Sequence, residues 1–279
     1  EAKRFITDAK NADEPFFVWF NTTHMHFRTH IKSESKGQAG RWQSEYHDCM
    51  IDHDKTIGEM LELIDQLGIA EDTIVMYSTD NGPHMNSWPD ADMTPFRDEK
   101  NSNWEGAYRV PAMVRWPGVI PAGEVRTGIV SHMDWLPTLL AAAGEPDIKE
   151  KLKAGHQVGN KNFKIHLDGY NQLDYLKGAA DKSPRIEFFY FSDDGDLTGL
   201  RYDNWKIVFM EQRCTGSLQI WAEPFVVLRL PKIFNLLTDP YERADVTSNT
   251  YWDWMLDHAF LLVPAQTYVA QFLATFKDY

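Results

Sequence analysis

Residues 73–83 read TIVMYSTDNGP, and the fold class turns on this stretch. Residues 73–78 form a short apolar run rich in β-branched side chains, and Thr79-Asp80-Asn81-Gly82-Pro83 closes it with turn formers. Such a run between such boundaries predicts a buried strand. Upstream, between Trp42 and Leu67, Met50, Ile57, Met60, Leu61, Ile64 and Leu67 recur at spacings near three, four and seven. That period predicts a long helix, which Gly68 stops. Earlier still, Phe16 to Phe20 (FFVWF) lies between Pro15 and Asn21 and predicts a second buried strand, of the kind found in parallel sheets. Strand, long helix, strand is the crossover of a doubly wound sheet, so the class is α/β.

Downstream, residues 84–105 are polar with little periodicity, and a loop that long is usually functional or mobile. Val110 to Trp116 predicts another strand, closed by Pro117-Gly118. Asp134 is expected to cap a helix running through Ala143, with Pro137 near its start and Gly144 at its end. The character then changes. Residues 145–183 are polar and rich in Gly and Lys. Strands are predicted at Ile186–Phe191, Thr198–Tyr202 and Trp205–Met210, the last two joined by the two-residue turn Asp203-Asn204. Residues 218–237 add β-like runs, and a helical stretch from Trp252 to Phe276 is expected to break near Pro264. The expected organisation is a unit over 1–145, then a linker and a smaller α+β unit over 146–279, an antiparallel sheet with a terminal helix packed on it.

Composition sets bounds on function. Apolar residues make up 43% and charged residues 25%, ordinary for a globular protein. The net charge of -13 argues against nucleic acid as a partner, and means that an anionic substrate must be drawn in by a local cation or metal. No run of about 18 apolar residues predicts a membrane span. Two cysteines, Cys49 and Cys214, are too few for a disulfide framework, and Cys49 sits in the helical pattern, where a buried free thiol is expected. The chain opens Glu1-Ala2-Lys3 with neither Met nor signal peptide, and reads as a fragment.

Three short motifs carry titratable or ligating groups. His24-Met25-His26 follows the first predicted strand; imidazole suits proton transfer near neutral pH, and alternate residues of an extended segment face opposite sides. Surface or structural histidines fit this motif as well. Asp80-Asn81-Gly82 sets a carboxylate beside an amide carbonyl at the end of a strand, where the ligand crevice of an open α/β sheet lies. Hard divalent cations take such oxygens, although a plain Asn-Gly turn reads the same way. Lys100 lies in the long loop, where lysine is ordinarily solvated; folded back over the strand ends, it would hold a sulfate or phosphate oxygen. Trp88, in the same loop, is a candidate for stacking on a substrate ring.

The order of these motifs, with Glu105-Gly106-Ala107, Tyr108-Arg109-Val110-Pro111, Arg115-Trp116-Pro117-Gly118, His132-Met133-Asp134, Asp168-Gly169, Phe234-Asn235-Leu236 and Asp239-Pro240-Tyr241-Glu242, resembles the sulfatase family, nearest its bacterial arylsulfatases. The resemblance runs along nearly the whole chain. It implies an alkaline-phosphatase-like mixed sheet flanked by helices, present here in part, and hydrolysis of aryl or carbohydrate sulfate esters. It also implies a divalent metal, usually Ca²⁺, with Asp80 and Asn81 as two of its ligands, and a formylglycine nucleophile. His26 matches the proton donor to the leaving oxygen and Lys100 the lysine that contacts the sulfate. His24 and His84 neighbour matched positions as candidate substrate-binding groups, and Arg109 matches an arginine of supporting role. Family members are commonly exported, which implies a periplasmic or secreted setting.

The chain departs from the pattern where the nucleophile is concerned. Formylglycine arises in Cys-x-Pro-x-Arg, whereas Cys49 is followed by Met-Ile-Asp-His and Cys214 by Thr-Gly-Ser-Leu. The nucleophile and the early metal ligands are expected from an N-terminal half outside these residues, so this segment alone is expected to be inactive. Arg28 stands where the family often has proline, and Ala107 where it has a second glycine. A phosphodiesterase or phosphonate hydrolase of the same superfamily, or a non-catalytic binding remnant, are the alternative readings.

Overall fold

The computed structural model describes residues 1–214 and 218–278. The first helix, α1 (Ala2–Asn11), turns Ile6 inward. The long helix is α2 (Glu45–Gln66), capped by Ser44, whose hydroxyl accepts from the Tyr46 amide at 3.2 Å. It ends at Leu67, followed by Gly68 at φ 65°. Ile6, Ile64 and Ile69 form a small core with Phe16, Val18, Met60 and Val75 packed against it. Met50 fits the apolar period but is exposed, because Asp48 and Cys49 occupy the covered side of that turn. The Asp48 carboxylate accepts the Gly37 and Ala39 amides, so a polar clasp replaces apolar packing there.

Residues 16–20 depart from the expected buried strand. They are extended but join no ladder; Phe16 and Val18 turn inward, while Phe17 and Trp19 are 71% and 82% exposed. This is the period-two pattern of a segment covered on one side. Burial of both faces requires a layer on each, and among the described residues only the side of α1 and α2 is covered. The strand β1 (Val75–Ser78) forms as the sequence predicts, but its described ladder is antiparallel, with β2 (Ala112–Arg115), from Val75 opposite Arg115 to Ser78 opposite Ala112. Between them lies the short helix α3 (Glu105–Tyr108).

A 3-10 turn at His132–Asp134 leads into α4 (Trp135–Ala142). Asp134 does more than cap it. Its carboxylate accepts the Ser131 amide at 2.9 Å and pairs with Arg185 at 2.6 Å, with Asp134 and Arg185 both buried. Between α4 and the next sheet come α5 (Ile148–Ala154), β3 (His156–Val158), β4 (Lys161–Phe163) and α6 (Leu173–Lys177).

An antiparallel sheet follows in the order β5 (Glu187–Phe191), β6 (Leu197–Tyr202), β7 (Trp205–Gln212), β8 (Phe225–Asn235). The Asp203-Asn204 turn joins β6 to β7, with Asp203 at φ 51°. The short helix α7 (Gln219–Ala222) interrupts the run between β7 and β8. The chain closes with α8 (Ala244–Thr247), α9 (Tyr251–Asp257) and α10 (Leu262–Ala274). The helical break falls at His258–Leu261, ahead of Pro264. Pro264 sits in the first turn of α10, where its missing N–H would have had no helical partner.

Register assigns the two faces of this sheet. Tyr190, Arg201, Lys206 and Phe234 lie on one face; Phe189, Leu200, Ile207 and Ile233 lie on the other. The second face meets the terminal helices, with Phe189 stacked on Phe272 at 4.0 Å and Trp205 on Trp254 at 6.1 Å. The first face receives the loop around Lys100: Tyr108 packs edge-on against Tyr190 at 4.8 Å, and Trp104 against Phe234 at 5.7 Å. Trp104 is thus part of the core of the C-terminal sheet. Burying side chains of this size contributes roughly 1.5–3 kcal/mol each.

Candidate active site

The loop carrying Lys100 is pinned from beneath. Asn103 donates to the carbonyl of Met210 at 2.7 Å. Arg97 donates to the Glu242 carbonyl and the Asp245 carboxylate, both at 2.8 Å, while its guanidinium lies 3.6 Å from the centre of the Trp104 ring. Asp98 and Asn101 flank Glu99 and Lys100 at φ 64° and 78°, a left-handed conformation that Asp and Asn tolerate better than most residues.

Glu105 is the anchor at the base of the loop. It is 1% exposed, its amide donates to Glu242 at 2.7 Å, and its carboxylate takes Arg109 at 2.7 Å, Lys206 at 3.2 Å, Arg201 at 3.3 Å and the Tyr190 hydroxyl at 2.5 Å. Lys206, with no exposed surface, also meets Glu242 at 2.7 Å. Burial pushes both carboxylates up. Lys206 and then Arg201 overcome this at Glu105 and hold it well below the usual range. At Glu242, burial and the nearby Glu105 charge outweigh Lys206, and its pKa is raised. Arg109 belongs to this cluster, and its guanidinium also lies 4.5 Å from the centre of the Phe96 ring.

The turn with Asp80 and Asn81 is joined to that loop backbone to backbone. The Gly82 amide donates to Ala107 at 2.8 Å and the Lys100 amide donates to Pro83 at 2.8 Å. Any Cβ at Gly106 would sit 2.3 Å from the carbonyl oxygens of Arg97 and Asp98. His132 Nε2 lies 2.9 Å from the Thr79 carbonyl oxygen, on the approach to Asp80.

His84 is the hub on the solvent side. Its side chain is 13% exposed, with Nε2 3.7 Å from a Glu99 oxygen. Phe27 packs edge-on against it at 6.0 Å, and Phe27 in turn meets His26 at 4.8 Å. Burial lowers the His84 pKa; Glu99 opposes this, and the Lys100 and His26 charges add to it. His26, through Phe27, and Lys100, through the bond of its amide to the Pro83 carbonyl, thus both come beside His84 at one rim. His24 lies toward α2, its carbonyl accepting the Thr22 hydroxyl at 2.7 Å. His53 also bonds the Thr22 hydroxyl at 3.0 Å and the Tyr77 hydroxyl at 3.1 Å. Trp88 is 62% exposed beside a short 3-10 turn.

Two side chains at this rim were not singled out in the sequence. Glu99 is completely buried and accepts the Met85 amide at 2.6 Å, which ties the Lys100 loop to the His84 segment. Its adjacency to Lys100 was the available signal. Trp221 reaches the rim from α7 and donates to His84 across 137 residues of sequence, with no local pattern to betray it.

Among the described residues no group of three or more His, Cys, Asp or Glu converges to hold a metal. Asp80 is exposed, and the Asn81 amide nitrogen donates to the Gly82 carbonyl at 2.8 Å, which leaves its oxygen for another partner. The donor chemistry fits a hard divalent cation in kind, and supplies part of the six to eight oxygens that Ca²⁺ takes. Neither cysteine fits a nucleophile: both lack the required motif, and Cys49 is buried in α2 with its thiol pushed up, chiefly by burial. No helix among the described residues is long and apolar enough to cross a membrane.

Comparisons with known proteins bear on the family and the fold. The sulfatase family profile matches residues 1–145. N-acetylgalactosamine-6-sulfatase from Canis lupus familiaris is 34% identical over 95% of this chain and 52% of its own length. Arylsulfatase A from Homo sapiens is 30% identical over 88% of this chain and 47% of its own. The crystal structure of PsFucS1 sulfatase from Pseudoalteromonas sp. superposes with a TM-score of 0.80 at 28% identity, covering 100% of this chain and 52% of that one. The chain therefore spans about half the length of the curated relatives it matches. The fold is the alkaline-phosphatase-like one, present in part, with the smaller antiparallel sheet and terminal helices that the sequence predicts.

Proposed function

Because the chain belongs to the sulfatase family, we propose that the polypeptide containing it hydrolyses sulfate monoesters, with residues 1–279 supplying the leaving-group side of the site. The reading is supported by one observation above all: the Lys100 amide donates to the Pro83 carbonyl at 2.8 Å, next to His84, and the His84 ring meets Phe27, the neighbour of His26, at 6.0 Å, so the three groups are gathered on one side of the loop. Lys100 holds a sulfate oxygen and the bridging oxygen, stabilising charge as it develops. His26 donates a proton to the departing alkoxide or phenoxide, a contribution of about 10²–10⁴ in rate. His84 helps to bind the ester, whereas His24 is turned toward α2.

Asp80 and Asn81 are the two ligands this chain brings to a divalent cation, most simply Ca²⁺. When bound, that metal supplies positive charge against the sulfate oxygens, and the formylglycine, from a segment outside residues 1–279, supplies the nucleophile. The same proposal divides the chain at 145/146 into a catalytic half-unit and a supporting C-terminal unit. It takes an aryl or carbohydrate sulfate as the substrate and an exported location as the setting.

The test is an assay of the polypeptide with its upstream segment restored, against an aryl sulfate, a carbohydrate sulfate, a phosphodiester and a phosphonate ester. Turnover of a sulfate ester that falls sharply in Lys100→Ala is the expected result. Hydrolysis confined to the phosphorus esters would overturn the reading, and so would undiminished sulfatase activity in Lys100→Ala.

A further inference from the structure

The contact between Trp221 and His84 joins α7, which lies beyond β7, to the rim. Trp221 Nε1 lies 3.2 Å from His84 Nε2, and the two rings meet edge-on at 87°. The indole is 52% exposed, and the turn that carries it is held. Its neighbour Ile220 is 1% exposed, and the Gln212 amide donates to the carbonyls of Ile220 at 2.7 Å and Glu223 at 3.0 Å, clamping the turn at both ends.

An indole N–H can only donate. When it donates to His84 Nε2, that nitrogen must offer its lone pair, so the imidazole is neutral and its proton is on Nδ1. The competing arrangement has Nε2 protonated and directed at Glu99, but that separation is 3.7 Å, beyond hydrogen-bond range. Burial favours the neutral ring as well, and Lys100 and His26 disfavour a further cation beside them; Glu99 is the group that opposes.

We infer that Trp221 is a positioning residue that fixes His84 as a neutral imidazole with Nδ1–H as its donor, so that Lys100 keeps its place as the rim's fixed cation. The catalytic meaning of this rests on the sulfate-ester reading above, whereas the tautomer itself does not. A neutral donor binds an anionic ester without competing for its charge and leaves proton transfer to His26.

The experiment uses the full-length protein with ¹⁵N-labelled histidine, His84 being assigned by its loss in His84→Gln. Two-bond nitrogen–proton spectra are expected to show His84 unprotonated at Nε2, with no titration between about pH 5 and 8, the window in which an ordinary histidine changes charge. Trp221→Phe keeps a ring and removes the donor. Its His84 is expected to titrate within that window, with Glu99 beside the freed nitrogen, and kcat/KM for a sulfate ester is expected to gain an ionisation that the native enzyme lacks. Circular dichroism and the unshifted resonances of the other histidines confirm that the variant is folded.

A native His84 protonated at Nε2, or a His84 titration unchanged in folded Trp221→Phe, overturns the inference. The spectra do not depend on turnover. A protein that shows the expected tautomer but hydrolyses no sulfate ester therefore defeats the functional reading alone. One that hydrolyses sulfate esters with His84 indifferent to Trp221 defeats this inference alone.

Discussion

A β-carbon added to Gly82 would lie 1.8 Å from the carbonyl oxygen of Gly106, so the turn bearing Asp80 and Asn81 touches the loop base beneath Lys100 with no room for a side chain. Gly82→Ala is expected to push these backbones apart and to lose the 2.8 Å bond from its amide to Ala107. Strain of this kind, like overpacking in a core, costs about 1–3 kcal/mol. Urea denaturation should register that loss. The drop in kcat/KM of the full-length enzyme should exceed what the loss of folded protein explains, because two candidate groups are displaced together.

Lys206 sits between Glu105 and Glu242 with no solvent around it. Lys206→Met would keep the length of the side chain, take from buried Glu242 the cation at 2.7 Å and remove one of three cations from Glu105, a change that costs about 3–5 kcal/mol. Glu105 is held below the usual range in the folded protein, so its contribution is fully present above its unfolded pKa near 4.5 and is lost as the pH falls below that. The gap in unfolding free energy between native protein and variant should accordingly be widest near neutrality and narrow under acid. A gap independent of pH would count against the ion cluster as the tie between loop and sheet.

Asp98 behaves in the opposite sense. Burial, then the Glu99 charge, raises its pKa to about 6, with Arg97 opposing. A carboxylate raised above its unfolded value near 3.8 penalises the folded state at pH 7, and the penalty fades as the pH falls through about 6. Asp98→Asn tolerates the same left-handed backbone and removes the charge. It is expected to stabilise the protein at pH 7 by about 1–2 kcal/mol, after allowance for its partial exposure, and by little near pH 4. Chemical denaturation at the two pH values measures this.

If His26 protonates the leaving oxygen, its removal should matter in proportion to how badly that oxygen needs a proton. In the full-length enzyme His26→Ala should slow cleavage of a sugar sulfate by about 10²–10⁴. A nitrophenyl sulfate, whose phenoxide departs unaided, should be affected far less. Equal losses on both substrates would move His26 from proton donor to binding residue.

Calcium titration by calorimetry examines the pair at the end of β1. Changes to groups that merely orient a metal ligand cost ten- to a hundredfold in affinity, so Asp80→Ala in the full-length protein should weaken binding by at least about tenfold. Asp80→Asn, which keeps an oxygen and loses the charge, should fall in between. Affinity unchanged in both variants would remove Asp80 from the ligand set.

The sequence reads well where structure is local. The spacing of Ile57, Met60, Leu61 and Ile64 foretells α2, and Asp203-Asn204 foretells the β6–β7 hairpin, because each depends on neighbours a few residues away. It reads less well where a role depends on what lies opposite. FFVWF looks like a two-sided buried strand, yet Trp19 faces solvent. Asp134 looks like a simple cap, yet it closes a buried pair with Arg185. Pro264 looks like the helix break, yet it opens α10.

By itself the sequence determined the family, the order of the elements and the residue types from which a sulfate site would be built, since composition, period and motif order are properties of the chain alone. Only the tertiary structure decided which groups face one another. It tied His24 through Thr22 to α2 while His26 joined the rim through Phe27, set the Lys100 loop on the charged face of the C-terminal sheet, and brought Trp221 to His84. Hydrogen bonds and charges act over a few ångströms of space, and distance along the chain carries no record of them until it folds.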